Sequence, residues 1–441
     1  QAFLPAFFPL APARCFLQTT PMHRRDLLIA SGLGVVSAAF PRPAFAPTSA
    51  LASFDREVEA FMAERKVPGG ALAVAKDGRL VYTRGYGWAD VEKRVPVDPA
   101  SLFRIASISK PVTAVAVLQL IEQGKLTLDT RVVDLLPHQP LIPPGAKADP
   151  RWKQVTVRHC LQHTGGWDRE KRFDPMFRSG PVAIATGTPA PASADAIVKF
   201  MLGQPLDFDP GTRYAYSNFG YCLLGRLIEQ VTRRPYEALV KDSVLAPCGI
   251  RTMRLGRTLA THRAKDEVHY YTPDHAVAEN VFSEGPRRVP WPYGGFHLEA
   301  MDAHGGWLAS AVDLLRFAVA LRDPVKCRLL KPETWQALHA APPAPVARNA
   351  DGSLQASFYA CGWSVRPLGH EPGKANYWHN GSLPGTRTLL VRRWDGLDWA
   401  VLFNQRQEIP GLPDSAIDSA LHRAAGTVKE WPKEDLFPSF P

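Results

Sequence analysis

Strand-like segments near both ends of the chain enclose a long middle segment that has the pattern of helices. Residues 71–75 and 80–86 have the composition of β-strands, and the Asp77-Gly78 pair between them is a strong hairpin signal. Further β-type segments lie towards the other end, at residues 358–365, 376–382, 388–392 and 399–404. Sequence-distant strands complete one sheet when a helical domain is inserted between them, so we expect a two-part protein with a cleft at the junction.

This pattern divides the chain into three predicted parts. Residues 1–49 are predicted to be an upstream segment with an export signal. Residues 50–106 together with 281–441 are predicted to form a sheet domain, and residues 107–280 a mostly helical domain with many Pro and Gly residues in its loops. The predicted strands are flanked by helix-like segments at residues 53–65 and 414–425.

The predicted export signal begins near Met22. Arg24 and Arg25 precede an apolar run over residues 27–40, and residues 44–46 (Ala-Phe-Ala) match a cleavage site. Paired arginines favour the twin-arginine route, which predicts a periplasmic or secreted protein. The alternative is a membrane anchor, but an anchor needs about 20 apolar residues and this run is shorter. We therefore expect a cleaved signal and no stable membrane insertion.

The formal net charge of +10 at pH 7 raises the question of an anionic partner. Basic and acidic residues alternate through most of the chain, and no nucleic-acid-binding motif accompanies them. We therefore predict no nucleic-acid partner and a weak attraction to anionic envelopes. A protein that binds envelopes through its basic surface remains one alternative, and it predicts salt-sensitive pelleting with them.

Two serines and a lysine, SISK, stand at the start of a long apolar segment. Ser107 is a possible N-cap of the following helix, and Lys110 a possible exposed residue of its first turn. The second interpretation is chemical, because residues three apart on a helix share one face. A lysine at the buried start of a helix should have a lowered pKa, and a neutral amine beside a hydroxyl is a general base for a serine nucleophile.

Two other polar triplets supply groups for the same chemistry. Tyr216-Ser217-Asn218 precedes another apolar helix and offers a phenol and an amide. His379-Asn380-Gly381 falls within a β-type run, where a glycine often marks the close approach of a ligand to the backbone.

In these motifs the sequence resembles a family, the serine hydrolases related to class C β-lactamases, D,D-peptidases and family VIII carboxylesterases. The resemblance extends from about residue 53 to 428 and includes RIASISKPVTA, LQHTGGW, YSNFGY, GGWLASAVDLLRF and WHNGSLPGT. It implies an α/β (α+β) fold of the β-lactamase/transpeptidase type. Such a fold has an antiparallel sheet flanked by helices plus a mostly helical domain, with the active site at their junction.

The resemblance also implies a role for each matching residue. Ser107 would be the acylated nucleophile, Lys110 its base and Tyr216 the proton shuttle to the leaving group. The backbone N–H groups of Ser107 and Ser382 would form the oxyanion hole. The remaining substrate-binding positions would be Asn218, His379 and Gly381. The resemblance implies no cofactor and no metal.

His379 stands where many relatives have lysine. A histidine with an ordinary pKa of about 6.5 is mostly neutral at pH 7, which weakens the attraction for anionic β-lactams. We therefore expect an exported serine hydrolase, a carboxylesterase with broad acyl preference acting on small-molecule esters or amides. A β-lactamase or a D-amino-acid peptidase with the same apparatus is the first alternative. A penicillin-recognising sensor that acylates without turnover is the second.

Three further patterns favour structural roles. His159 and His163 are four residues apart, but no H-E-x-x-H motif accompanies them, so a zinc site is not predicted. His304 has a place near the cleft, whereas Ser310 with Asp313 has the pattern of a capping box that opens the next helix. A G-x-S-x-G motif is absent, which argues against the α/β-hydrolase fold.

Overall fold

An antiparallel sheet is the main feature of the computed structural model, which describes residues 51–369, 374–406 and 413–440. Within these residues its eight strands lie in the order β3-β2-β1-β13-β12-β11-β10-β9, so strands from both ends of the chain meet where β1 pairs with β13. The predicted fold class is therefore confirmed. The strands of the described residues are β1 (Gly69–Lys76), β2 (Arg79–Asp90), β3 (Val95–Pro96), β4 (Phe103–Arg104), β5 (Arg254–Leu255), β6 (Val277–Glu279), β7 (Arg288–Pro290), β8 (Trp307–Ala309), β9 (Phe358–Tyr359), β10 (Ser364–Pro367), β11 (Ala375–Leu383), β12 (Thr386–Arg392) and β13 (Leu397–Phe403).

Helices cover the sheet and alternate with loops along the long segment between its two halves. Those in the described part of the chain are α1 (Ala52–Arg65), α2 (Ser109–Glu122), α3 (Val157–Leu161), α4 (Ser179–Thr186), α5 (Ala194–Leu202), α6 (Asn218–Thr232), α7 (Tyr236–Val240), α8 (Asp302–Gly305), α9 (Ala311–Ala320), α10 (Pro332–His339) and α11 (Ala416–Gly426). The division into a sheet domain and a helical domain, with boundaries at residues 107 and 280, stays a prediction.

The hairpin between β1 and β2 forms where the sequence predicted it. Asp77 and Gly78 have φ angles of 51° and 82°. Two consecutive residues with positive φ match the two-residue turn that fits the right-handed twist of paired strands. Lys76 then pairs with Arg79, which sets the register of the hairpin.

The two faces of the sheet bury different sets of side chains. Along β13, Ala400 and Leu402 point into the main core, whereas Trp399 and Val401 point into a second core packed against α1 and α11. This alternation follows from the two-residue period of a strand. Because both faces are covered, every residue of β13 is buried.

One predicted strand is interrupted. We expected a single strand over residues 358–365, but β9 ends at Tyr359 and β10 begins at Ser364. Gly362 lies between them with φ 81°, and a Cβ there would be 3.1 Å from the backbone oxygen of Lys110. The break therefore allows the chain to pass close to the start of α2.

The predicted export signal lies outside the described residues. Among the helices that the structure describes, none is both long and apolar enough to cross a bilayer.

Candidate active site

Ser107 and Lys110 lie together at the start of α2. Ser107 belongs to a 3₁₀ turn formed by residues Ala106–Ile108, and α2 follows it directly. The Nζ atom of Lys110 is 3.1 Å from the Oγ atom of Ser107. The side chain of Ser107 does not cap the helix, so the capping interpretation of this motif is wrong.

Lys110 is fully buried, and its amine is surrounded by oxygen atoms. It donates to Oδ1 of Asn218 at 2.8 Å and to the backbone oxygen of His304 at 3.0 Å, besides its contact with Ser107. Burial holds the pKa of Lys110 well below its usual range. The negative charge of Asp174 opposes this shift, and the positive charge of Arg169 adds to it. The expected burial and fall in pKa are both present.

The backbone before Ser107 is held against the sheet. Thr386 and Thr388 of β12 donate side-chain hydrogen bonds to the backbone oxygens of Arg104 and Ile105, at 3.0 and 2.9 Å. Ala106 has φ 49°, a left-handed conformation that costs an alanine about 1 kcal/mol or more. This strained residue directly precedes Ser107, and the threonine contacts keep it in place.

Gly381 of β11 permits that contact. A Cβ at this position would be 2.2 Å from the backbone oxygen of Ile105, 2.2 Å from Oγ1 of Thr388 and 3.1 Å from the Cβ of Ala106. We expected this glycine to mark the approach of a ligand. The structure shows that the segment carrying Ser107 is a close neighbour, so Gly381 lets the strand and the serine lie side by side, and the approach of a ligand stays a prediction.

Asn218 is the first residue of α6 and lies at the centre of the polar contacts. Ser217 is the N-cap of this helix, and its Oγ accepts a hydrogen bond from the backbone N–H of Gly220. While Oδ1 of Asn218 accepts from Lys110, its Nδ2 donates to Oδ2 of Asp174 at 2.6 Å. Asp174 immediately precedes the short 3₁₀ turn Pro175–Phe177.

Tyr216 faces the lysine. The Nζ atom of Lys110 is 4.8 Å from the centre of the Tyr216 ring. Burial raises the pKa of the Tyr216 hydroxyl, and a hydrogen bond with the Ser107 side chain partly opposes this shift. The phenol is therefore protonated at neutral pH and is able to donate a proton.

His379 of β11 is buried and neutral. Its Nε2 is 2.9 Å from the hydroxyl of Tyr359, and its Nδ1 is 2.7 Å from the backbone oxygen of Asn380. Burial lowers the pKa of His379 to about 3, and the nearby Lys110 adds to the shift. A positive charge is therefore absent from this ring at neutral pH.

Ser382 is two residues further along β11 than Asn380. Its Oγ accepts a hydrogen bond from Nη1 of Arg406 at 3.1 Å. Arg406 follows β13 in sequence and brings a cation close to Ser382 in β11.

Several residues at the site were missed by sequence reasoning. They come from loops or distant strands and belong to none of the three triplets: Asp174, Arg169, Tyr359 and Arg406. No local pattern marks them, because each reaches the site through tertiary packing. Only a cluster of aromatic residues around the second triplet, RYAYSNFGY, hinted at the ring contacts found there.

The histidines discussed as alternatives have structural roles. His159 takes part in a capping box with Thr156 at the start of α3. The ring of His163 packs 4.3 Å from that of Tyr216 and 4.4 Å from that of Tyr359, and its Nδ1 accepts from the backbone N–H of Ser217. In the part of the chain that the structure describes, no three His, Cys, Asp or Glu residues form a metal-binding group.

One of the two expectations for the segment around His304 concerned the helix that follows it, and the other its place near the cleft. The capping box of Ser310 and Asp313 at the start of α9 is confirmed. The backbone oxygen of His304, however, accepts from Lys110 at 3.0 Å, so this residue contacts the site through its main chain.

An antiparallel sheet flanked by helices, with a buried lysine beside a serine, is the arrangement of the serine hydrolases related to β-lactamases. Residues 54–423 match the family model described as Beta-lactamase, and the chain belongs to that family.

The names of the relatives of this chain indicate different activities. Penicillin-binding protein 4* of Bacillus subtilis (strain 168) is 25% identical over 370 residues, 82% of this chain and 74% of the relative. Esterase EstB of Burkholderia gladioli is 33% identical over 208 residues, 46% of this chain and about half (51%) of the relative. Among solved structures, an octameric penicillin-binding protein homologue from Pyrococcus abyssi has a TM-score of 0.64 and 25% identity, covering 84% of this chain and 77% of that one.

Proposed function

We propose that the protein is a serine hydrolase that forms an acyl-enzyme on Ser107 and hydrolyses carboxylic esters of broad acyl type. The observation that carries the proposal is the 3.1 Å distance between Nζ of Lys110 and Oγ of Ser107, in a place where burial lowers the pKa of the amine. A neutral amine at hydrogen-bond distance from a hydroxyl meets the requirement for a general base.

In the first half of the proposed reaction, Lys110 takes the proton of Ser107 while Oγ forms a bond to the ester carbonyl carbon. The backbone N–H groups of Ser107 and Ser382 are the proposed donors to the carbonyl oxygen as it becomes negative. Tyr216 then gives its proton to the leaving alkoxide and recovers a proton from Lys110, so the amine is neutral again. The bond between carbonyl carbon and alkoxide oxygen breaks, and the alcohol departs. The raised pKa of Tyr216 suits a proton donor rather than a base.

In the second half, a water molecule attacks the acyl-enzyme and gives one of its protons to Lys110. The bond from the carbonyl carbon to Ser107 breaks, and that proton returns to Oγ. The products are a carboxylic acid and the free enzyme. Asn218 is proposed as a donor to the acyl portion of the substrate.

Two features favour uncharged esters. The first is the neutral His379, whose pKa is about 3. The second is an apolar cleft of about 260 Å³ whose lining includes Tyr214, Phe358, Tyr359 and Trp378. Tyr359 contacts His379 and also lines this cleft, so the cleft is a place for an apolar group of the ester.

One observation favours a second candidate, the hydrolysis of β-lactams or D-amino-acid peptides. The guanidinium of Arg406 contacts Ser382, and a cation there suits substrates that carry a carboxylate. The catalytic apparatus would be the same, so only substrate preference separates the two functions.

The test compares the purified full chain with its Ser107→Ala variant on p-nitrophenyl acetate, p-nitrophenyl octanoate and a chromogenic cephalosporin. We expect turnover of both esters, slow cephalosporin hydrolysis, and loss of all turnover in Ser107→Ala. Ser109→Ala is the matched control, because the Ser109 hydroxyl contacts the backbone N–H of Trp307 instead of Lys110.

Each outcome has a separate meaning. Full activity of Ser107→Ala would refute the assignment of the nucleophile. Rapid cephalosporin turnover would favour the β-lactamase alternative, and a burst of product without turnover would favour the sensor. Localisation in the periplasm or outside the cell stays a prediction, and fractionation of the producing cells tests it.

A further inference from the structure

Four side chains form one continuous line of hydrogen bonds that extends beyond the proposed catalytic residues. Lys110 Nζ is 3.1 Å from Ser107 Oγ and 2.8 Å from Asn218 Oδ1, and Asn218 Nδ2 is 2.6 Å from Asp174 Oδ2. The line therefore runs from the proposed nucleophile to a carboxylate at its far end. Asp174 has no place in the mechanism given above.

The two ends of the Asn218 amide have different partners, which restricts its orientation. An amide oxygen accepts hydrogen bonds, and an amide nitrogen donates them. The amine of Lys110 donates to the amide oxygen and Asp174, when ionised, offers only acceptors, so one orientation of the amide satisfies both partners. In the reversed orientation the amide oxygen would face the carboxylate, which is repulsive, and the hydrogen bond from Lys110 to the amide oxygen would be lost.

Asp174 is itself held in place. Its Oδ1 accepts from the backbone N–H of Met176 at 3.1 Å, which makes it the cap of the turn Pro175–Phe177. The rigid turn fixes the position of the carboxylate beside α6. Because Asn218 is the first residue of α6, the helix start and the capped turn together determine how Asn218 faces Lys110.

We propose that Asp174 is a positioning residue for the acyl-enzyme chemistry: its carboxylate fixes the orientation of the Asn218 amide and places a negative charge near the amine of Lys110. This inference rests on the proposed function of Ser107 and Lys110. Asp174 contacts neither the hydroxyl of Ser107 nor the lysine directly: it orients the amide through its hydrogen bond with Asn218, and it affects the amine through its charge.

Burial raises the pKa of the Asp174 carboxyl, and the hydrogen bonds from Asn218 and Met176 oppose this rise because they favour the ionised form. The ionised carboxylate has a defined effect on the base. An ionised carboxylate nearby favours the protonated form of Lys110, and it opposes the effect of burial. Removing that charge lowers the pKa of Lys110, so the neutral amine is available at lower pH. The other charged or titratable groups around the amine stay in place in the variants below: Arg169, His163, Tyr216, Tyr221, His304 and His379.

The experiment measures kcat and KM for p-nitrophenyl acetate from pH 5 to 10 in the wild type, Asp174→Asn and Asp174→Ala. We expect the acidic limb of the kcat/KM profile to move to lower pH by about one unit in both variants. The one side-chain oxygen of Asp174→Asn is able to accept from Asn218 in exchange for the hydrogen bond from Met176, so its kcat should fall by less than about 5-fold. Asp174→Ala offers none, and its kcat should fall by about 10- to 100-fold with a smaller change in KM.

Asp168→Asn is the matched control. Asp168 lies on the same loop, and its carboxylate accepts from Nη2 of Arg213 at 2.8 Å rather than from Asn218. This variant also removes one negative charge, but we expect no shift of the acidic limb of the kcat/KM profile and no change in kcat. A displacement in this control equal to that in Asp174→Asn would overturn the inference, since any nearby charge would then have the same effect.

A second measurement does not depend on activity. The pKa of Lys110 is followed by NMR of lysine side chains labelled with ¹³C at Cε, with the Lys110 signal assigned from its absence in Lys110→Arg. We expect this pKa to be lower in Asp174→Asn than in the wild type by about one unit. An unchanged Lys110 pKa would overturn the inference even if the enzyme proved inactive on every ester, whereas inactivity of the wild type would refute only the proposed function.

Discussion

Replacing Gly381 with alanine tests whether the contact between β11 and the segment before Ser107 places the serine. The added Cβ would be 2.2 Å from two oxygen atoms, the backbone oxygen of Ile105 and Oγ1 of Thr388. Real Cβ atoms keep at least about 3 Å from such atoms, so the strand and the segment have to separate by about 1 Å. Neither partner is a flexible side-chain end, because one is backbone and the other is a short buried threonine.

The size of the effect follows from two contributions. Overpacking of a buried site costs about 2 kcal/mol, and loss of the hydrogen bond from Thr388 to Ile105 costs about 1 kcal/mol. A total of about 3 kcal/mol lowers the thermal midpoint by about 4 °C for a chain of this size. A displacement of about 1 Å at a nucleophile reduces its rate by about 100-fold. We therefore expect a large fall in kcat/KM together with only a small fall in the thermal midpoint.

The assay combines differential scanning fluorimetry with kcat/KM for p-nitrophenyl acetate at 25 °C, where the variant remains folded. Gly180→Ala is the matched control, because Gly180 lies in α4 and a Cβ there meets nothing within 4 Å. Alanine in a helix is favoured over glycine by about 1 kcal/mol, so this control should keep full activity and equal or higher stability. A Gly381→Ala protein with the thermal midpoint and rate of the wild type would refute the reasoning.

Two further predictions concern the buried titratable groups. Lys110→Arg removes the base, because arginine is not deprotonated in proteins and replaces the neutral amine with a permanent cation. We expect a loss of at least about 10³-fold in kcat with an unchanged far-UV circular dichroism spectrum, and residual activity above one tenth would contradict the role of the lysine. His379 has a folded pKa of about 3, while in the unfolded chain it binds a proton below about pH 6.5. Stability from this residue is therefore complete above pH 6.5 and falls as the pH drops from 6.5 towards 3, by about 2 kcal/mol at pH 5. In urea denaturation, His379→Gln should make the loss of stability between pH 7.5 and pH 5 smaller by that amount, and an equal loss in both proteins would contradict the assigned pKa.

Much of the sheet was predictable from local patterns. The Asp77-Gly78 turn allows only a narrow set of backbone angles, so the hairpin of β1 and β2 follows from neighbouring residues alone. The segment 358–365 shows the limit of such reasoning. Its composition favours a single strand, but Gly362 takes a positive φ where the chain packs against the start of α2. The residues it contacts there are about 250 positions away in sequence.

The meaning of a motif residue also changed once its neighbours were known. Gly381 was predicted to approach a ligand, which stays a prediction, and the structure shows that it also approaches the backbone of Ile105. Both interpretations depend on the absence of a side chain. Only the packing of β11 against the turn before α2 reveals the contact with Ile105.

The sequence by itself determined that the hydroxyl of Ser107 and the amine of Lys110 lie on one side of a helix start. A serine and a lysine at positions 107 and 110, at the start of an apolar helix, are brought together by one turn of backbone whatever the rest of the chain does. It also determined the alternating faces of the strands, since successive side chains of a strand point in opposite directions. These properties depend on local backbone geometry.

Tertiary structure alone decided how those groups behave. The complete burial of Lys110, the contact of its amine with Asn218 and the placement of Asp174 beyond the amide all join segments far apart in sequence. The pKa of the lysine depends on exclusion of water and on charges brought near by packing, and the identity of the residue specifies neither. For this reason the positions of the proposed catalytic residues were predictable from the sequence, whereas Asp174, Tyr359 and Arg406 were found only in the folded chain.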